Sequence, residues 1–169
     1  MRNTTLAFSF LLLLPLAYGA EAKHPWASFK PGSYSKMKTT TMAGPSKTVT
    51  EMTQTLISVD ANTAVVETET KVMGQSSKTR VNIPLKAAAT PANAAQAKAP
   101  TPVNETITVA GKAIACKCVE MDTAANGMKT KTKACTSEAV PGGAVKMTSS
   151  STGAVKMETV SELVEFAAK

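Results

Sequence analysis

From residue 33 onward, apolar and polar positions alternate in short runs, separated every 8 to 14 residues by Gly, Asn or Pro. Runs of that length, rich in Thr and Val, predict strands joined by tight turns rather than helices. The pattern predicts nine strands, at 33–42, 48–59, 64–73, 79–85, 105–109, 113–122, 128–137, 144–150 and 154–166. Only the last run has an alternative. Val160, Leu163, Val164 and Phe166 also fit a short helix, although Val and Thr favour a strand.

Turn arithmetic sharpens three of the hairpins. A two-residue turn fixes the sum of the numbers of facing residues, because pairing proceeds one residue at a time on each side. The Ala110-Gly111 turn sets Ile107 opposite Ile114, and the Ala61-Asn62 turn sets Ile57 opposite Val66 and Thr55 opposite Thr68. Asn126-Gly127 is the strongest hairpin signal in the chain. Its register faces Glu120 with Lys133, Asp122 with Lys131 and Cys118 with Cys135. Opposite charges and two cysteines meeting in one register are cross-strand pairs of the kind that stabilise a sheet. Gly143–Met147 and Gly153–Met157 repeat the pentapeptide GAVKM, which fits two neighbouring strands joined by a turn at 150–153.

Two segments break the alternation. Residues 86–104 (KAAATPANAAQAKAPTPVN) are dominated by Ala and Pro, and proline cannot donate to a sheet ladder. They predict a mobile insertion, with a short helix at Ala92–Ala99 as the alternative. Residues 1–22 carry Arg2, an apolar run from Leu6 to Ala17 and small residues beyond it. That is the pattern of a cleaved secretory signal, cut after Gly19, Ala20 or Ala22. The run is too short to span a bilayer, which takes roughly 20 apolar residues. The expected domain plan is a signal peptide at 1–22 and one β domain at 23–169 carrying the insertion. The expected destination is a periplasm or the exterior of the cell.

Composition changes the picture in one respect. The chain beyond the signal has four aromatic residues, Trp26, Phe29, Tyr34 and Phe166, and so few Val, Ile, Leu and Phe that composition alone borders on disorder. With the insertion set aside, the apolar residues fall in strand-length runs, so the low fraction reads as a thin sheet. Eight methionines (Met37, Met42, Met52, Met73, Met121, Met128, Met147 and Met157) are then expected to fill the core in place of aromatics. Trp26, Phe29 and Tyr34 are expected to pack on one sheet face, meeting Phe166.

Chemistry enters through the three cysteines. Export favours bridging, and the Asn126-Gly127 register predicts a Cys118–Cys135 disulfide with Cys116 left as a free thiol on the same face. A thiolate metal site built from all three, or a redox pair, is the alternative; zinc sites take four ligands, usually at wider loop spacing. No metal and no cofactor are expected. The net charge of +7 includes Lys129, Lys131 and Lys133 on one strand face. No aromatic lies among them for base stacking, and two face carboxylates, so they read as a solvated face that resists edge-to-edge association and not as a nucleic-acid site. His24 is the only imidazole, which excludes any site needing two. No catalytic residues are assigned.

The segment His24-Pro25-Trp26-Ala27-Ser28-Phe29-Lys30-Pro31-Gly32-Ser33-Tyr34, the stretch GMKTKTKACTSEAVPGGAVKM and the closing LVEF resemble small uncharacterised secreted bacterial β-proteins. The layout of long antiparallel strands, a Val-Pro-Gly-Gly turn and a final hairpin is also similar to periplasmic lipoprotein carriers of the LolA-like superfamily. That similarity implies a sheet curved around an apolar cavity.

The expected fold is all-β: a single curved antiparallel sheet, or incomplete barrel, of about eight or nine strands. The expected function is that of an exported, non-catalytic structural or interaction module. The alternative is a carrier or sensor of a lipid or other apolar ligand, with Ile57, Val66, Ile107, Val109 and Ile114 lining the concave face.

Overall fold

The computed structural model describes residues 24–86, 100–125, 127–153 and 156–169. The expected signal peptide, the alternative helix at Ala92–Ala99 and most of the 86–104 insertion lie outside them. Among the described residues no helix is long and apolar enough to cross a membrane.

A short 3-10 turn, Pro25–Ser28, precedes nine strands: β1 Tyr34–Ala43, β2 Ser46–Val59, β3 Thr63–Val72, β4 Gln75–Pro84, β5 Val103–Val109, β6 Lys112–Ala125, β7 Met128–Thr136, β8 Ala144–Thr152 and β9 Met157–Ala167. They form one open antiparallel sheet in the order β4-β3-β2-β1-β9-β8-β7-β6-β5. The expected all-β sheet is what forms, and the final run is a strand, not a helix. Each successive strand pairs with its predecessor except across 85–102, while β1 pairs with β9. The outermost strands β4 and β5 therefore run in the same direction, since every intervening step is antiparallel. Val103 and Asn104 belong to β5, so the described end of the expected insertion is sheet.

Two of the three calculated registers hold throughout. Ile107 faces Ile114, and Cys118, Glu120 and Asp122 face Cys135, Lys133 and Lys131. The β2–β3 register starts as expected, with Val59 opposite Ala64, but shifts by one residue beyond Ser58. Leu56 then faces Val66 and Thr55 faces Glu67, leaving Ile57 as the extra residue. The shift places Leu56, fully buried, in the slot that Ile57 would have filled; Ile57 is 37% exposed. The bulge leaves Ile57 unpaired and shifts every later pair by one residue. The turn itself is held by Asp60, whose carboxylate accepts from the N–H groups of Asn62 (2.7 Å) and Thr63 (2.8 Å). Those two bonds hold its carboxyl below the ordinary aspartate range.

The buried apolar side chains lie at one end of the sheet, here called basal, where β1, β3, β6 and β8 begin and the other strands end. One cluster joins Trp26, Phe29, Leu56, Ala64 and Val66. The other joins Val109, Ile114, Cys116, Cys118, Cys135, Val140 and Val145 with Met37 and Leu163. Phe166 packs on the second cluster, not on Trp26 and Phe29 as expected, and lies under the Lys112 ammonium, 5.9 Å from the ring centre. Tyr34 is half-buried and donates to the Glu165 carboxylate.

Directly paired residues share a sheet face. Pairing runs from Met52 to Met37, from Thr39 to Ser161, then to Met147, Ala134 and Val119. Leu56 shares that face by alternation along β2, whereas Cys118 and Cys135 alternate with Val119 and Ala134 and project from the other. The sheet therefore changes the face it buries partway across. Shifts that leave Val164 without a partner in β1 and Val145 without one in β7 interrupt the alternation at the same basal end.

The methionines depart most from expectation. Met37 is buried, but Met42, Met73, Met121, Met128 and Met157 are exposed. Four of these five lie at or beside the turns of the opposite, distal end, where no described element covers them. The lysine run also lies elsewhere than expected: β7 is an interior strand, so its lysines guard no edge.

Candidate functional site

The segment that caps the basal end is built from local rules. Pro25 opens the 3-10 turn with its fixed backbone angle, and His24 Nδ1 accepts from the Trp26 N–H at 3.3 Å. Burial lowers the imidazole's affinity for a proton. Trp26 then lies against the 137–143 loop: at Gly142, whose φ is +79°, a Cβ would fall 2.9 Å from the indole. Both the positive φ and that approach require glycine there. Val140, in the same loop, is fully buried in the cluster that holds the cysteines.

The chemically distinctive residues gather on β5, β6 and β7. Cys118 and Cys135 form the expected disulfide, and Cys116 is a free, buried thiol two residues along the same strand face. Burial, with the Glu105 carboxylate adding to it, pushes the Cys116 thiol above its ordinary range. Glu105 faces Cys116 across β5–β6. One of its carboxylate oxygens and the Cys118 and Cys135 sulfurs all lie within 4.8 Å of one another. Sequence reasoning missed Glu105, although the register that pairs Ile107 with Ile114 also pairs Glu105 with Cys116. Lys133 donates to Glu105 at 2.5 Å and lies 3.8 Å from Glu120. Lys131 reaches Glu120 at 3.6 Å, so the ion pair is diagonal and not with Asp122 directly opposite.

The five residues expected to line an apolar ligand face do not share one surface. Ile107, Val109 and Ile114 lie together around the cysteines, Val66 belongs to the Trp26 cluster, and Ile57 is exposed at its bulge. Ile107 to Val109 of β5 and the turn residue Ala110 stand across an open cleft of about 300 Å³ from Val145, Lys146 and the stretch Glu162–Val164. Its apolar walls are also parts of the packed cluster, and the Lys146–Glu162 ion pair (2.7 Å) lies in it. A second cleft of similar size is lined mainly by polar residues, among them Glu120, Lys131, Lys133 and Glu158, with Val160 also in its wall.

The free edges complete the inventory. β4 is exposed along almost its whole length, with only Ile83 half-buried. Lys78 and Arg80 on it pair with Glu67 and Glu69 of β3, Arg80 Nε reaching Glu67 at 2.9 Å. Compared with protein-family models, with curated proteins and with solved structures, the chain matches none.

Proposed function

We propose that the chain is an exported, non-catalytic interaction module that receives an extended segment of a partner protein along β4. The observation that carries this reading is the edge itself. β4 runs ten residues along the sheet edge, alternate ones turning their backbone polar groups outward, with no covering element among the described residues. An edge of that length is a template for strand addition, in which main-chain hydrogen bonds supply affinity. Its two cations are paired to carboxylates of β3, and its ladder with β3 runs without a bulge. The disulfide supports an oxidising compartment and so the exported destination expected from residues 1–22.

A second reading, a carrier of a lipid or other apolar ligand on the LolA-like plan, is favoured by the β5–β9 cleft. The cleft is at the small end of ligand sites. Its apolar walls are also occupied in packing the core, which is why the reading stands second. Native mass spectrometry of the chain purified from its host separates the two. The expected result is a polypeptide adduct that is lost when Ser77 and Val81 on β4 are both changed to lysine, with the melting temperature unchanged. A stoichiometric lipid adduct, or a polypeptide adduct indifferent to those substitutions, overturns the edge-strand reading.

A further inference from the structure

The three cysteines fall one ligand short of a tetrahedral metal site when read along the sequence; the sheet supplies the fourth. Glu105 faces Cys116, Cys118 faces Cys135, and the two pairs are adjacent rows of one sheet face because β6 contributes a residue to each. We propose that reduction of the Cys118–Cys135 bond converts this block into a site for a thiophilic divalent cation of the zinc class, with Cys116, Cys118, Cys135 and Glu105 as its four ligands. The disulfide is then a switch between a cross-linked state and a metal-binding state.

Geometry, charge and burial agree on this. Ligands about 2.3 Å from a tetrahedral metal lie roughly 3.7 Å from one another. The Glu105 oxygen and two sulfurs, already within 4.8 Å, need rotamer changes and no strand movement. Cys116 Sγ lies outside that group, donating to the Ile114 carbonyl at 3.4 Å, and joins it by turning along the shared strand face toward Cys118 once the metal has displaced its proton. Three thiolates and a carboxylate around a divalent cation leave two net negative charges, costly in a buried setting unless compensated. Lys133 donates to Glu105 and flanks the site directly, while Lys146, which faces Cys135 across β7–β8, is shared with Glu162. Lys133 also orients the carboxylate, the role that outer partners play at metal sites. Burial of all three cysteines excludes competing water.

The conversion balances with a dithiol as reductant. It gives two electrons and two protons to the Cys118–Cys135 bond, becomes a disulfide itself and leaves two thiols. The metal then displaces one proton from each of the three thiols. A disulfide oxidant reverses both steps: it takes two electrons from the Cys118 and Cys135 thiolates and two protons from water to become a dithiol, Cys116 regains its proton from water, and the cation is released.

The test uses the full chain, reduced with a phosphine, which takes its oxygen from water and is removed before titration with cadmium under anaerobic conditions. The expected result is one cadmium per chain with an ultraviolet thiolate-to-cadmium charge-transfer band, and no such band from the oxidised chain. Glu105→Gln and Cys116→Ser should each weaken binding at least about tenfold while the circular dichroism of the sheet is unchanged. The proposal is overturned if the reduced chain gives no band, or if either variant binds as tightly as the parent. It is also overturned if reduction alone abolishes the sheet signal, since binding would then belong to an unfolded thiol-bearing chain.

Discussion

The basal and distal ends of the sheet share the same strands and the same backbone ladder, yet different forces hold them. At the basal end Leu56, Val66, Val145 and the disulfide are buried, with Trp26 of the Pro25–Ser28 turn and Val140 of the 137–143 loop packed into their clusters. At the distal end Thr39 faces Thr50, Thr41 faces Thr48, and Thr41 also faces Thr159. Methionines there are left in solvent. A strand with two polar faces has little burial to fix its register. The distal register is therefore inherited from the basal core and the tight turns. A thin sheet with few large apolar residues can be stable when nearly all of them are spent at one end.

The largest expected effect tests that inequality directly. Trp26→Ala should cost about 3–5 kcal/mol and Leu56→Ala about 2–5 kcal/mol, because each leaves a cavity in a packed cluster. Thr41→Ala, on the distal side, should stay within about 0.5 kcal/mol. Urea denaturation of the three variants measures all of this. A distal substitution as costly as Leu56→Ala would mean that the distal rows carry stability of their own.

The same contrast explains what could be read from the sequence. Period-two alternation and turn residues located all nine strands, since both are local. The strand β4 was placed late, at 79 and not 75, because Gln75-Ser76-Ser77-Lys78 has no apolar alternation to mark it. Alternation also says which residues of a strand share a face, but not which face is covered. Coverage is decided by Trp26 and the Val140 loop, remote in sequence from what they bury. That is why Val66 was grouped with Ile107, Val109 and Ile114, and why the distal methionines were assigned to a core that does not reach them. The bulge at Ile57 was hidden for the same reason, because only the cover over Leu56 distinguishes the two registers. The disulfide was legible because one turn fixes it. Glu105 was legible too, by extending the Ala110-Gly111 register two residues beyond Ile107.

Next in size is the cross-link. It closes a loop with a sequence separation of 17 residues, which in the chain-entropy account is worth about 3 kcal/mol. Replacing Cys118 and Cys135 together by alanine should lower stability by that order, and amide exchange should quicken throughout the basal rows. If exchange quickens only at the distal turn of β6 and β7, the disulfide holds the hairpin locally and not the core.

The smallest effect lies in the first polar row beyond the core, where the Thr39 and Ser161 hydroxyls meet at 2.8 Å one row along from Met37 and Leu163. A neutral hydrogen bond contributes about 0.5–1.5 kcal/mol net, and removing one partner strands the other, whereas removing both can be nearly neutral. Thr39→Val alone should therefore cost about 1 kcal/mol, and adding Ser161→Ala should recover part of that loss. A double-mutant cycle by urea denaturation reads the coupling. Strict additivity would show that this pair is only adjacent, and that the distal sheet is aligned by its backbone ladder and turns alone. Measurable coupling would make the hydroxyl row a second, weaker zipper, extending the register of the basal core toward an end with little apolar burial of its own.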